Sequence, residues 1–368
     1  VSAGVFDLDG LLAGAVSAGA SDVHLAAGLP PAYRVHGNIA AVPGWPVLTD
    51  DDLRVTLPTI LTEHQAERFE RDLELDLSHT VGQGSSFRVN VFRQRDGLGA
   101  AFRLIPSEIR SLHELGIPGV VQQFATLPRG LVLVTGPTGS GKSTTMASVV
   151  DLANASRSDH IILIEDPIEF LHRSRRSIVT QREVGTDSHS FRAALVSALR
   201  QDPDIIVIGE MRDAETMGIA LRAAETGHLV LGTMHTQDAA SSIHRIVDEF
   251  PGDQQTQVRT QLSASLQGIV SQTLCRRADG EGRAVAVEVL VATAPVRALV
   301  RDGRLHQLYS VLHSGTDQGM QTLDQSLADL VRRGEITFEE GAGRARQPDQ
   351  YAQMCGRSAR TVPGGARA

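Results

Sequence analysis

Cysteine is nearly absent from the 368 residues: Cys275 and Cys355 stand far apart, and without a C-x-x-C pair there is nothing to build a zinc site from. Such usage fits a reducing, cytoplasmic setting. Aromatic residues make up only 4%, which argues against the stacking platforms on which single-strand nucleic-acid binders lay successive bases. Positive charge is not in excess either. The 35 Lys and Arg face 43 Asp and Glu, and the formal charge of -8 disfavours nucleic acid or any other polyanion as a partner. Long apolar runs are missing too. No segment approaches the ~18 apolar residues of a membrane span, and Gly10–Ala20 is too rich in glycine and small residues for a signal core. The expectation is a chain that neither crosses a membrane nor is exported.

What is present suits a globular α/β protein: 41% hydrophobic and 21% charged residues, in a length that allows two domains with separate cores. From Val1 to about Leu104, short alternating runs such as Tyr33–Ile39 and Phe87–Phe92 mix with helical ones such as Asp51–Glu70, as in a small α/β domain. Ser86–Phe92 and Gly99–Leu104 read as a hairpin turned at Asp96-Gly97, decorated by Arg88, Arg93, Arg95 and Arg103. Ile105–Pro118 carries two prolines and Gly116 with little periodicity, which marks a linker.

After Val120, the strand runs Leu131–Thr135, Ile161–Ile164, Ile205–Ile208 and Leu229–Thr233 alternate with helical patterns, predicting a parallel, helix-covered sheet. Phe191, Ala194, Leu195, Ala198 and Leu199 are expected to share one helix face, as are Met217, Ala220, Leu221 and Ala224, the second helix capped by Asp213 and ended by Gly227. Val258, Leu262, Leu266, Ile269 and Val270 have the spacing of one further helix. Residues 356–368 read as a disordered tail.

The first chemical signal follows Leu131–Thr135. Gly136, Pro137, Thr138, Gly139, Ser140, Gly141, Lys142 and Ser143 form a complete G-x-x-x-x-G-K-S, with Thr144 next and a helix-forming run over Ser143–Ala155. Glycines at these positions turn the backbone N–H groups inward on phosphate oxygens, and the helix adds the positive end of its dipole. Lys142 then reaches the outer phosphates and Ser143 binds Mg²⁺, so ATP and Mg²⁺ are the expected ligands.

Two further strands end in acid. Ile161–Ile164 leads into Glu165, Asp166 and Glu169, at the carboxyl edge where open α/β sheets bind ligands, and Ile205–Ile208 leads through Gly209 to Glu210 in the Walker B arrangement. Carboxylates there suit Mg²⁺ or an attacking water. Arg212 with Asp213 reads as no more than an ion pair at a helix start. His228 and His235 bracket the next strand; His235 is placed to sense the terminal phosphate, while His228 reads as either structural or functional. Their spacing does not suit zinc.

In this order, Gly136–Ser143, Glu165–Glu169, Arg200–Asp213, and Ala223–His228 with Gly232–Thr236 resemble the secretion ATPase superfamily of type II secretion and type IV pili, where they are the Walker A, Asp box, Walker B and His box. Gly19–Leu25, Gly28–Pro31, Phe87–Asn90 and Val179–Glu183 extend the resemblance. Within the superfamily the chain is similar to the pilus-retraction branch, and Pro295–Asp302 resembles its A-I-R-N-L-I-R-E motif, with Pro295 for Ala and Ala298 for Asn. On that segment Val296, Leu299 and Val300 are expected to face inward and Arg297 and Arg301 outward.

The resemblance implies a PAS-like N-terminal α/β domain over 1–104, a linker over 105–118, and a RecA-like P-loop ATPase domain with a C-terminal helical extension over 119–355. It further implies a homohexamer holding ATP between the domains, peripheral at the inner face of the cytoplasmic membrane. Its partners would be an inner-membrane pilus platform protein and paralogous pilus ATPases. Glu169 would orient water, Glu210 support the metal, and Arg88 and Arg103 act as arginine fingers. Pilus extension or type II secretion, a non-hydrolysing accessory ring, and a nucleic-acid translocase are the competing readings.

Overall fold

Residues 6–357, except His36, Gln83 and Ser107, are described by a computed structural model; from residue 358 on, the expected disordered tail lies outside the described residues. The chain divides into two units after Glu108.

Unit 1 carries β1 (Asp22–Ala26), β2 (Ala32–Val35), β3 (Asn38–Ala41), β4 (Glu74–Val81), β5 (Ser85–Gln94) and β6 (Gly97–Ile105), an antiparallel sheet in the order β3-β2-β1-β6-β5-β4. Alternation puts Phe87, Val89 and Val91 of β5 into a core with Phe102, Leu25, Leu12 and Leu53, where the rings of Phe87 and Phe102 meet edge to face. Two expectations need correction here. Asp51–Glu70 is not one helix: helix Asp50–Thr56 passes into a 3₁₀ turn, Leu57–Ile60, with Pro58 at its start, and a new helix, Glu63–Asp72, begins with a capping box at Thr62. The hairpin loop is Arg95-Asp96 rather than Asp96-Gly97, since Gln94 pairs with Gly97, which opens the returning strand at φ +130.

Unit 2 carries β7 (Gly130–Thr135), β8 (His160–Glu165), β9 (Ile178–Glu183), β10 (Ile205–Ile208), β11 (Leu229–Met234), β12 (Leu266–Arg276) and β13 (Arg283–Val291), in the order β13-β12-β7-β11-β10-β8-β9. All neighbours are parallel except β12 and β13. The inner strands are buried on both faces, and their alternation builds two cores. Leu131, Leu133, Ile162, Ile164, Ile206 and Ile208 point to one side, and Val132, Val134, Ile161, Leu163, Ile205 and Val207 to the other.

The helix expected over Val258–Val270 ends at Ser265, and Leu266, Ile269 and Val270 belong to β12. That strand places Gly268 against the ring of Phe124: a Cβ on Gly268 would lie 2.2 Å from Phe124 Cζ. We expect Gly268→Ala to cost about 1–3 kcal/mol through overpacking, read as a lower midpoint in urea unfolding. Helix Ala294–Arg301 buries Val296, Leu299 and Val300 as expected, but Arg297 does not face outward. Its guanidinium donates to the carbonyls of Ser263 and Ala264 at 2.9 and 2.8 Å, satisfying the last turn of helix Gln255–Ser265.

Candidate active site

Parallel register brings four strand ends to one edge of the unit 2 sheet. β7 ends at Thr135 beside Met234 of β11, and Ile208 of β10 lies between Gly232 of β11 and Ile164 of β8. The residues that follow are those singled out in the sequence: Gly136 after β7, His235 after β11, Glu210 after β10 and Glu165 at the end of β8.

The loop after β7 is tightly constrained. Gly136 sits at φ +147, and a Cβ there would meet Gln272 O at 2.4 Å and Ser140 Oγ at 2.5 Å. Gln272, on β12, donates its amide to Ser140 O at 2.7 Å and so props the loop from the next strand. Nothing in the local sequence marks this residue, because its partner is 132 positions away. Helix Lys142–Ser156 starts at the loop, with Gly141 as its left-handed N-cap and no side chain capping it, so its first N–H groups remain available to an anion.

Lys142 is buried, and its Nζ donates to the carbonyls of Gly136 at 2.9 Å and Pro137 at 3.1 Å, with His235 Nδ1 at 3.4 Å. Burial lowers the pKa of the ammonium, while the charges of Glu210 and Glu169 work to raise it. His235 Nε2 lies 3.0 Å from Glu210 Oε1, and Arg212 bonds both carboxylate oxygens of Glu210 at 2.6 Å. Burial alone would raise the pKa of Glu210, but Arg212 and His235 hold it below its ordinary value. Lys142, His235, Glu210 and Arg212 thus form one continuous polar chain. Arg212 is therefore the partner of Glu210, while Asp213 caps helix Ala214–Glu225 through the Thr216 N–H.

These groups line a cavity of about 470 Å³. Of the expected residues, Thr138, Gly139, Gly141, Lys142, Ser143, Thr144, Glu165, Asp166, Glu169, Glu210 and His235 reach it. A second cavity, of about 840 Å³, borders Gly141 of the loop and Thr144 and Thr145 of the helix after it, with Arg110, Arg277 and Arg283 among its walls.

His228 is not brought there. His228 precedes β11 at the opposite, amino-terminal edge of the sheet, where its Nδ1 lies 3.0 Å from Ala223 O. Arg88 and Arg103 belong to unit 1, directly opposite each other on β5 and β6; both are exposed, and Arg103 donates to Asp22 at 2.8 Å.

The segment after β8 is held from β9. Gln181 donates to Glu165 Oε2 at 2.9 Å and to Phe170 O at 2.8 Å, and its oxygen accepts the His172 N–H at 2.9 Å. Burial pushes the Glu165 carboxyl up to about 7; the Gln181 hydrogen bond opposes the shift and the charge of Glu169 adds to it. From the usual 4.5 up to about 7 the folded chain therefore keeps a proton that the unfolded chain has released. Stability falls as pH rises through that window. We expect Glu165→Gln to flatten this dependence and to raise the melting temperature above neutral pH, as melting curves across the window would record.

Among the described residues no three His, Cys, Asp or Glu side chains are grouped to hold a metal. Mg²⁺ arriving with phosphates takes only one or two protein ligands. The Ser143 hydroxyl and the Glu210 carboxylate, both at the cavity wall, suit that hard cation.

Comparison with known proteins agrees with this geometry. The family model described as "Type II/IV secretion system protein" matches residues 7–342. A Pseudomonas aeruginosa protein named "Type IV pilus retractation ATPase PilT" is 48% identical over 345 residues, covering 94% of this chain and 100% of its own. A "Twitching motility protein" of Neisseria gonorrhoeae is 46% identical over 322 residues, 88% of this chain and 86% of its own. The crystal structure of the pilus retraction motor PilT with bound ADP superposes with a TM-score of 0.87 at 45% identity, covering 94% of this chain and 98% of that one.

Proposed function

This chain belongs to the type II/IV secretion system protein family, and from that premise we propose that it is an ATP-hydrolysing motor that powers type IV pilus retraction. The observation that carries the ATPase reading is the polar chain from Lys142 through His235 to Glu210 at the mouth of the phosphate loop. Retraction rests on the full-length similarity to retraction ATPases.

In this reading the N–H groups at the start of helix Lys142–Ser156 bind phosphate oxygens, and Lys142 exchanges the carbonyls of Gly136 and Pro137 for the outer phosphates. Glu169 orients the attacking water and takes up its proton. His235, already against both Lys142 and Glu210, reports whether the terminal phosphate is present. Ser143 and Glu210 would hold Mg²⁺, which would supply charge neutralisation on the phosphates. Arg88 and Arg103 complete the site across a subunit interface; such arginines are worth ~10³–10⁵ in rate.

Six copies form the working ring, at the inner face of the cytoplasmic membrane and bearing on a platform protein of the pilus base, with paralogous pilus ATPases as further partners. Residues 105–118 serve as the hinge about which one domain moves on the other.

The test is to supply the chain to a piliated strain lacking its own retraction ATPase and to follow labelled pili. Restored shortening is expected. Pili that stay extended while the chain hydrolyses ATP would reject retraction and leave the ATPase standing.

A further inference from the structure

The turn that carries His235 is held from the far end of the chain. Arg346 lies between helices Phe338–Ala342 and Pro348–Met354, and its base is fixed: the N–H groups of Arg346 and Gln347 donate to the two oxygens of Asp324 at 2.7 and 2.9 Å. Asp324 is 1% exposed, in the first turn of helix Leu323–Arg332. From there the guanidinium reaches Glu288 Oε2 at 3.1 Å and Asp238 Oδ2 at 3.3 Å, and donates to the carbonyl of Gln237. Glu288, on β13 and also 1% exposed, accepts the Ala239 N–H with its other oxygen at 2.9 Å. Gln237, Asp238 and Ala239 follow within four residues of His235, and Ala239 opens helix Ala239–Asp248.

A buried ion pair is weak evidence for stability, because well-packed apolar side chains often serve as well. What distinguishes this one is where it ends. A pair serving only to neutralise Glu288 has no use for the Gln237 carbonyl, two residues from His235, nor for a guanidinium whose backbone is clamped by a second buried carboxylate. The planar fork fixes position as well as charge.

We propose that Arg346 is a positioning residue for hydrolysis: it ties the His235 turn to the C-terminal helices, so that these helices and the phosphate end of the site move together. The proposal rests on the ATPase reading above. Its prediction is a split between rate and binding. Arg346→Met in the full chain lowers kcat about 10- to 100-fold, with affinity for a fluorescent ADP analogue unchanged, since the loop after β7 is untouched.

Arg346→Met also leaves Glu288 buried and unpaired, so the fold itself can fail. The double variant Arg346→Met with Glu288→Gln removes that charge while keeping an oxygen for the Ala239 N–H. The expected result is recovery of the melting temperature without recovery of kcat, and faster amide hydrogen exchange over residues 235–242. Recovery of kcat together with the melting temperature, or unchanged exchange over that turn, would overturn the positioning role. Absence of turnover in the wild type would instead sink the ATPase reading, and this role with it.

Discussion

Lys142→Ala is expected to lower steady-state phosphate release about 10²–10³-fold while leaving the fold intact. In the structure Lys142 Nζ is bound to two loop carbonyls and touches His235, so its removal opens no gap in either hydrophobic core. What it removes is a positive charge that burial has already stripped of much of its water and that Glu210 and Glu169 sustain. A charge so prepared costs little reorganisation when phosphate arrives, and losing one such preorganised donor costs about 10²–10³-fold in rate. Phosphate release and circular dichroism on the same sample check both halves of the statement. A folded variant with turnover near that of the wild type would exclude the phosphate loop from catalysis.

The second large effect is expected at Glu169. Its carboxylate lies at the cavity wall and is exposed, and its charge acts on both Lys142 and Glu165, so it stands within electrostatic reach of the phosphate end. Glu169→Gln keeps the shape and removes the capacity to take a proton, which lowers kcat about 10²–10⁴-fold. ADP binding is expected to change little, since the hydrogen bonds that hold Lys142 and Ser140 among the described residues run to Gly136, Pro137, His235 and Gln272. Fluorescent ADP titration beside single-turnover hydrolysis separates the two. Equal losses in affinity and rate would reassign Glu169 to nucleotide binding, and would leave Glu165, with its carboxyl near 7, as the group able to accept a proton at neutral pH.

The contrast between what was legible in the sequence and what was not follows from sequence separation. The phosphate loop, the acids after β8 and β10, and His235 were readable because each depends on a strand and the few residues after it, and parallel register then gathers the strand ends at one edge. β12 was misread because Leu262, Leu266, Ile269 and Val270 fit helical spacing, while the helix actually stops where Arg297 takes its last carbonyls, more than 30 positions along the chain. The side chains that prop the site were invisible for the same reason. Gln272 supports Ser140, Gln181 supports Glu165, and Arg346 meets Glu288 across 58 residues, and only the folded sheet makes them neighbours. His228 looked like His235 in its setting beside a strand, but it lies at the wrong end of that strand.

The most direct test is steady-state ATP hydrolysis by the purified full chain, with mass photometry on the same samples to count subunits. A hexameric particle that releases phosphate in the wild type, and an equally hexameric but silent Glu169→Gln, is the predicted result. Rings of both proteins that bind nucleotide without releasing phosphate would contradict it, and would make this chain an accessory to another motor.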